Sequence, residues 1–237
     1  MNKKLIALLL SIFLFPFIFH ILLTNSIAYV SDYLALKTAS YVIYNDEGTV
    51  LALSGLTSAL LASGTVASAV IQSAINALSS SGGTVFLRAG TYSMQYNTPS
   101  CILTLLPNVN LIGEGMSSTI IRVDGGIQSG VDVLNLRGNN TVKNLQIIGD
   151  GTANIGDLIS NHGHNLMNLA LENLEVSYGR QGIGICADNL DSLTNMERQG
   201  AHDVFIRNVI AHHNIDNGIY LGAGLHNVVV DGVISYN

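Results

Sequence analysis

The chain has 237 residues, 48% of them apolar and only 11% charged, against roughly 25% charged in an ordinary soluble domain. That excludes a disordered tail or a coiled coil, both of which need far more charge. Beyond residue 28 there are 8 Lys and Arg against 16 Asp and Glu, an acidic balance that repels phosphate backbones and argues against a nucleic-acid partner.

The N-terminus reads as a targeting segment. Lys3 and Lys4 precede a stretch from Leu5 to Leu23 broken only by Ser11, Pro16 and His20. Its length lies between a secretory signal and a membrane span. Ser26 and Ala28 are small residues suited to cleavage after Ala28. Residues 1–28 are therefore expected to be either a cleaved signal peptide or an uncleaved anchor through residues 5–23. In both cases the basic start stays inside and the remainder is exported, which makes the protein secreted or cell-surface.

Tyr41–Tyr44 and Thr49–Leu53 flank Asn45-Asp-Glu-Gly48 and predict a hairpin. Residues 54–64 are rich in small and polar residues and read as a connection, so residues 29–63 form an N-terminal hairpin and linker. Val66, Val70, Ile71, Ala74, Ile75 and Leu78 then recur at helical spacing. Thr65 is placed to cap this helix, and Ser79-Ser-Ser-Gly-Gly83 ends it. Short strands follow at 84–87, 108–112, 119–123 and 131–136. Glycine (24) and asparagine (23) are each about a tenth of the chain, and both tolerate positive φ at turns.

From residue 140 the sequence repeats. Thr141–Ile147, Ala170–Val176, Phe205–Ala211 and Val229–Ser235 align with Asn144, Asn173, Asn208 and Gly232 at the fourth position. A second repeat, Gly156–Ser160, Gly182–Cys186 and Gly218–Gly222, lies between them. Short strands at periods of 20 to 50 residues indicate a solenoid whose coils bury their apolar faces by stacking. The Asn column supplies left-handed corners. Lys143, Glu172, Arg207 and Asp231 precede those corners with alternating sign, which predicts a solvated ion ladder.

Gly82-Gly-Thr-Val-Phe-Leu-Arg-Ala-Gly-Thr-Tyr92, Asn108-Val-Asn-Leu-Ile-Gly-Glu-Gly115 and Asn217-Gly-Ile-Tyr-Leu221 resemble the N-terminal part of the pectate-lyase superfamily, from about residue 60 onward. The resemblance implies an all-β fold over residues 64–237, a right-handed parallel β-helix with an N-terminal capping α-helix. It also implies a polysaccharide partner. Active-site residues cannot be carried over: the polygalacturonase motifs are absent, His162-Gly163-His164 does not match their Gly-His-Gly, and the pectate-lyase calcium aspartates and catalytic arginine have no counterparts.

Repeat spacing places extra residues after two of the Gly-led strands. They fall around His162 and His164 and around Asp188, Asp191, Glu197, Arg198 and His202. Equivalent insertions in a solenoid emerge on one edge, the usual binding face. Asp188 or Asp191 with Glu197 can supply the two carboxyls of glycoside hydrolysis. Arg198 is the candidate cation for a lyase. Asp188, Asp191 and Glu197 together can hold Ca2+. His162, His164 and His202 are candidate substrate-binding residues, and a polar loop shielding the strand edges is the plainer reading of the same segments. His212, His213 and Asp216 read as surface groups. Cys101 and Cys186 read as buried thiols, with a disulfide open to an exported chain. There is no Trp, so Tyr178, Tyr220 and Tyr236 are the candidates for stacking on sugars.

The sequence thus points to an exported β-helix that binds or cleaves an extracellular polysaccharide, as a lyase or glycoside hydrolase if it is an enzyme. The alternative is a non-catalytic adhesin or envelope protein with the β-helix as a stalk. Val228–Ile234 stands in full register with the coils before it and nothing polar follows, which predicts a longer protein or a covering subunit at this end.

Overall fold

The computed structural model describes residues 38–95, 101–125, 130–161, 167–186, 201–222 and 224–237, and residues 39–237 form one compact unit. The expected export segment lies outside the described residues. Among the described residues no helix is long and apolar enough to cross a membrane.

The hairpin forms as its sequence dictates. β1 (Tyr41–Asp46) and β2 (Thr49–Ser54) pair antiparallel with Asp46 opposite Thr49. The two-residue turn, Glu47 and Gly48, has φ of 48° and 90°, the left-handed pair that matches strand twist. The expected connection at 54–64 needs correction, because Leu60–Gly64 is a third strand, β3, antiparallel to β2. Helix α1 covers Ala67–Ala77. Thr65 does not cap it: Val66 occupies that position in extended conformation, with no side-chain hydrogen bond. Thr65 stands one residue too early to reach the first-turn amides. The helix ends as predicted, with the Gly82 N–H bonded to the Leu78 carbonyl.

After α1 the chain winds through three parallel sheets. Face I holds β4 (Gly83–Leu87), β7 (Val109–Gly113) and the first halves of β10 (Asn140–Ile148), β12 (Met167–Ser177), β14 (His202–His212) and β16 (His226–Tyr236). Face II holds β5 (Gly90–Met94), β8 (Thr119–Val123) and the second halves of the same long strands. Face III stacks β6 (Cys101–Leu105), β9 (Asp132–Leu136), β11 (Ile159–Ser160), β13 (Gln181–Ile185) and β15 (Asn217–Leu221). The interior is filled by aliphatic columns. Val85, Leu111, Val142, Leu171 and Ile206 stack in register and are fully buried.

The long strands turn from face I to face II at Asn144, Asn173, Asn208 and Gly232, with φ between 49° and 61°. Asn173 Nδ2 donates to Asn144 Oδ1 and Asn208 Nδ2 to Asn173 Oδ1, each at 2.8 Å. The alternating charges are in the expected register, Lys143 beside Glu172, Glu172 beside Arg207 and Arg207 beside Asp231. Arg207 lies 3.9 Å from Glu172 with both side chains well exposed, a pair of little energetic weight.

A second left-handed column, not anticipated, stands five residues earlier at the face III to face I corner. It contains Gly82, Asn108, Asn139, Asn168, Asp203 and Asn227. Asn139 donates to Asn108 and Asn168 to Asn139. The Gly-led repeat also shifts. Ile159 pairs with Ile183 and Ser160 with Gly184, so Gly156 does not align with Gly182. The irregular residues before β11 absorb the offset and turn Asp157 toward the outer surface.

Candidate functional site

The site is built on the outer surface of face III. One transverse row carries Thr104, Asn135, Ser160, Gly184 and Tyr220 at equivalent positions of β6, β9, β11, β13 and β15. Parallel strands lie about 4.8 Å apart, so these positions follow one another along the stack. Asp132, at the start of β9, and Asp157, just before β11, are 4% and 7% exposed. With Ser160, Arg180 and Gly184 they line a cavity of about 240 Å³.

Asp132 Oδ2 accepts from the Ser160 hydroxyl at 2.5 Å and Oδ1 from the Asp157 N–H at 2.8 Å. Arg180 donates from Nε at 3.0 Å to Asp157 Oδ1 and lies 2.9 Å from it through Nη2. Burial raises the Asp157 carboxyl above the usual carboxylate range. The Asp132 and Asp216 charges add to this, and the Arg180 guanidinium works against it. A buried carboxyl that keeps its proton longer than usual, beside a second carboxyl, is the arrangement acid–base chemistry requires. Elsewhere on face III, two side chains carry buried polar atoms that no described residue meets. Asn135, 1% exposed, has neither side-chain oxygen nor nitrogen partnered, and Gln181 Oε1 is likewise buried without a partner.

The residues singled out by sequence fare differently. Asp188, Asp191, Glu197, Arg198, His162 and His164 lie outside the described residues. The segments that carry them, 162–166 and 187–200, both leave from face III. Their roots are joined: Asn161 Oδ1 accepts from the Cys186 N–H at 3.0 Å and Asn161 Nδ2 donates to the Cys186 carbonyl at 2.6 Å. His202 opens β14 on the face I side of the second segment, paired across with Met167 and His226. Its Nδ1 is 2.8 Å from Asp203 Oδ2. Hydrogen bonds from His202 and Asn227 hold the Asp203 carboxyl below the usual carboxylate range.

His212 is not the surface group expected. Its side chain is 14% exposed and its Nε2 lies 3.1 Å from Glu175 Oε1. It stacks on Tyr236, while His213 stacks on Tyr178. Two of the three candidate stacking tyrosines are therefore paired with imidazoles, and Tyr220 stands in the face III row with its ring partly exposed. Cys101 and Cys186 form no disulfide. Among the described residues no three His, Cys, Asp or Glu side chains are grouped to hold a metal ion.

Sequence reasoning missed Asp132, Asp157, Ser160 and Arg180. Two signals were present: Asp132 is the one charge in a mostly apolar strand, and Asp157 follows a Gly where Gly182 and Gly218 are followed by Ile.

Stacked parallel sheets of this kind define a parallel β-helix protein, and the solved structures similar to it are of that class. The A-module of mannuronan C-5 epimerase AlgE6 from Azotobacter vinelandii aligns over 72% of this chain and 51% of its own, at 23% identity and a TM-score of 0.52. The A-module of AlgE4 from the same organism aligns over 71% of this chain and 48% of its own, at 22% identity and a TM-score of 0.50. This chain therefore spans about half the length of the structures it matches. No family model matches the sequence, and no curated protein matches it.

Proposed function

We propose that the chain is an exported, right-handed parallel β-helix that binds and cleaves an extracellular polysaccharide. The observation that carries this reading is the pair of buried carboxyls, Asp132 and Asp157, in a cavity on face III. It lies on the sheet from which both insertions leave. The fold shared with two modules named as mannuronan epimerases supports a polymeric sugar as the partner. Lys3, Lys4 and the apolar stretch to Leu23 support export.

In this reading Asp157 is the proton donor to the glycosidic oxygen, because its carboxyl stays protonated to higher pH than usual. Asp132 supplies the second carboxyl that glycoside hydrolysis requires. Arg180 fixes the orientation of Asp157. The test is a polysaccharide panel with added calcium, read by new reducing ends and by absorbance of unsaturated products. Reducing ends without unsaturated products are expected, and Asp157→Asn should lower the rate by about 10²–10⁴-fold. A chain that cleaves nothing is a stalk or adhesin instead, and an unimpaired Asp157→Asn form removes Asp157 from the chemistry.

A further inference from the structure

We infer that Gln181 is a positioning residue of this site: its Oε1 accepts a hydrogen bond from the protonated Asp157 carboxyl and holds the acidic proton on Oδ2. The inference rests on the reading of Asp157 as proton donor and adds the group that keeps the proton in place.

Three observations carry it. The first is a meeting of two oxygens. An ideal Cβ on Gly184 would lie 2.6 Å from Gln181 Oε1 and closer still to Asp157 Oδ2. Both oxygens thus fill the space where a side chain at this position would begin. Ser160 and Tyr220, the neighbours of Gly184 in the row, carry side chains. A glycine inside a strand commonly marks such a close approach, and here a carboxyl and an amide take the place.

The second observation is that Gln181 Oε1 is buried and no described residue donates to it. A buried acceptor left unmet is costly, and two bare oxygens crowded together repel. One proton between them turns the contact into a hydrogen bond. An amide oxygen does not carry that proton, so the carboxyl does.

The third observation is how the other carboxyl oxygens are engaged. Asp157 Oδ1 accepts from Arg180 Nε at 3.0 Å and lies 2.9 Å from Nη2. A guanidinium only donates, so Oδ1 is the accepting end and the proton belongs on Oδ2. Asp132 accepts at both of its oxygens, from the Asp157 N–H and the Ser160 hydroxyl, which makes it the ionised member of the pair. The Asp132 and Asp216 charges favour a proton on Asp157 and Arg180 opposes it. Gln181 adds an acceptor that only the protonated form can use.

The experiment follows the carbonyl stretch of protonated carboxyls by infrared difference spectroscopy while the full chain is titrated with base. The band missing from Asp157→Asn belongs to Asp157. Wild type is compared with Gln181→Met, which removes the acceptor at similar volume, and with Gly184→Ala, which drives the two oxygens apart. In wild type the Asp157 band should persist above the ordinary aspartate range. In Gln181→Met the proton affinity of Asp157 should fall about tenfold, and in Gly184→Ala it should fall in the same direction. The alkaline limb of the pH–rate profile for cleavage should move to lower pH with it, a shift that a merely structural loss does not produce. An unchanged affinity in Gln181→Met overturns the inference. So does a raised one, which would mean that the amide nitrogen donates to an ionised Asp157. Should Gln181→Met fail to fold, Gly184→Ala makes the same comparison, and a wild-type chain without the band overturns the inference by itself. A chain that shows the shift but cleaves no polysaccharide keeps the Gln181 contact and loses the glycosidase reading.

Discussion

At the scale of single residues the fold rests on corners. Asn173 has φ of 52°, donates to Asn144 and accepts from Asn208. Replacing it with Ala imposes left-handed strain of about 1–2 kcal/mol and removes two hydrogen bonds of about 0.5–1.5 kcal/mol each. Asn173→Ala should therefore lose about 2–5 kcal/mol in urea unfolding, and Asn173→Gly distinctly less, since Gly232 already serves at this corner. Equal losses would show that the corner is not what Asn supplies. Asp157 makes a prediction of opposite kind. Its folded pKa is raised, so the folded state holds its proton after the unfolded chain has released its own. Stability then falls as pH rises from the ordinary carboxylate range through the folded value. In Asp157→Asn this downward slope should flatten, as read from urea midpoints between pH 4 and 7. The Asn144 column was legible because its neighbours repeat faithfully. The Gly82–Asn227 column was not, because it mixes Gly, Asn and Asp and is preceded by insertions of unequal length. Asp157 was hidden by a two-residue slip in the alignment of the Gly-led repeat.

At the scale of elements the decisive piece is α1, which closes the first coil. Ile71 and Ile75 are fully buried against that coil. An aspartate at Ile75 places an unpaired charge there, and the cost should exceed the stability of a marginal domain. Ile75→Asp is expected to abolish the cooperative melt followed by circular dichroism, and an unchanged melt would remove the helix from the folding unit. The helix does a second thing that no periodicity could announce. Gln72 Oε1 accepts from the Thr104 N–H at 2.9 Å and its Nε2 donates to the Thr104 carbonyl at 3.1 Å. A side-chain amide thus stands where a neighbouring strand would, on the outer edge of β6, the first strand of face III. The helix itself was readable from the spacing of Val70, Ile71, Ala74 and Ile75. Gln72, on a helix facing water, looked like an ordinary polar residue. Gln72→Ala leaves both Thr104 groups unmet and should cost about 1–3 kcal/mol, measurable as a lower urea midpoint.

At the scale of the whole molecule, stability depends on place in the stack. Val142 and Val230 occupy the same interior column, yet Val142 is fully buried and Val230 is 46% exposed. Val142→Ala should cost about 2 kcal/mol and Val230→Ala under about 1 kcal/mol. Equal losses in calorimetric unfolding would mean that something covers the last coil in solution. The class of architecture was legible because coil stacking imposes repeats on the sequence. The site was not, because it stands where the chain departs from those repeats. The seal that Gln72 and α1 place on the first coil has a consequence in time. Chains are made N-terminus first, and each parallel strand here pairs with one laid down a coil earlier. Each coil therefore emerges after the edge it must pair with, and the order of synthesis is the order in which pairing partners become available.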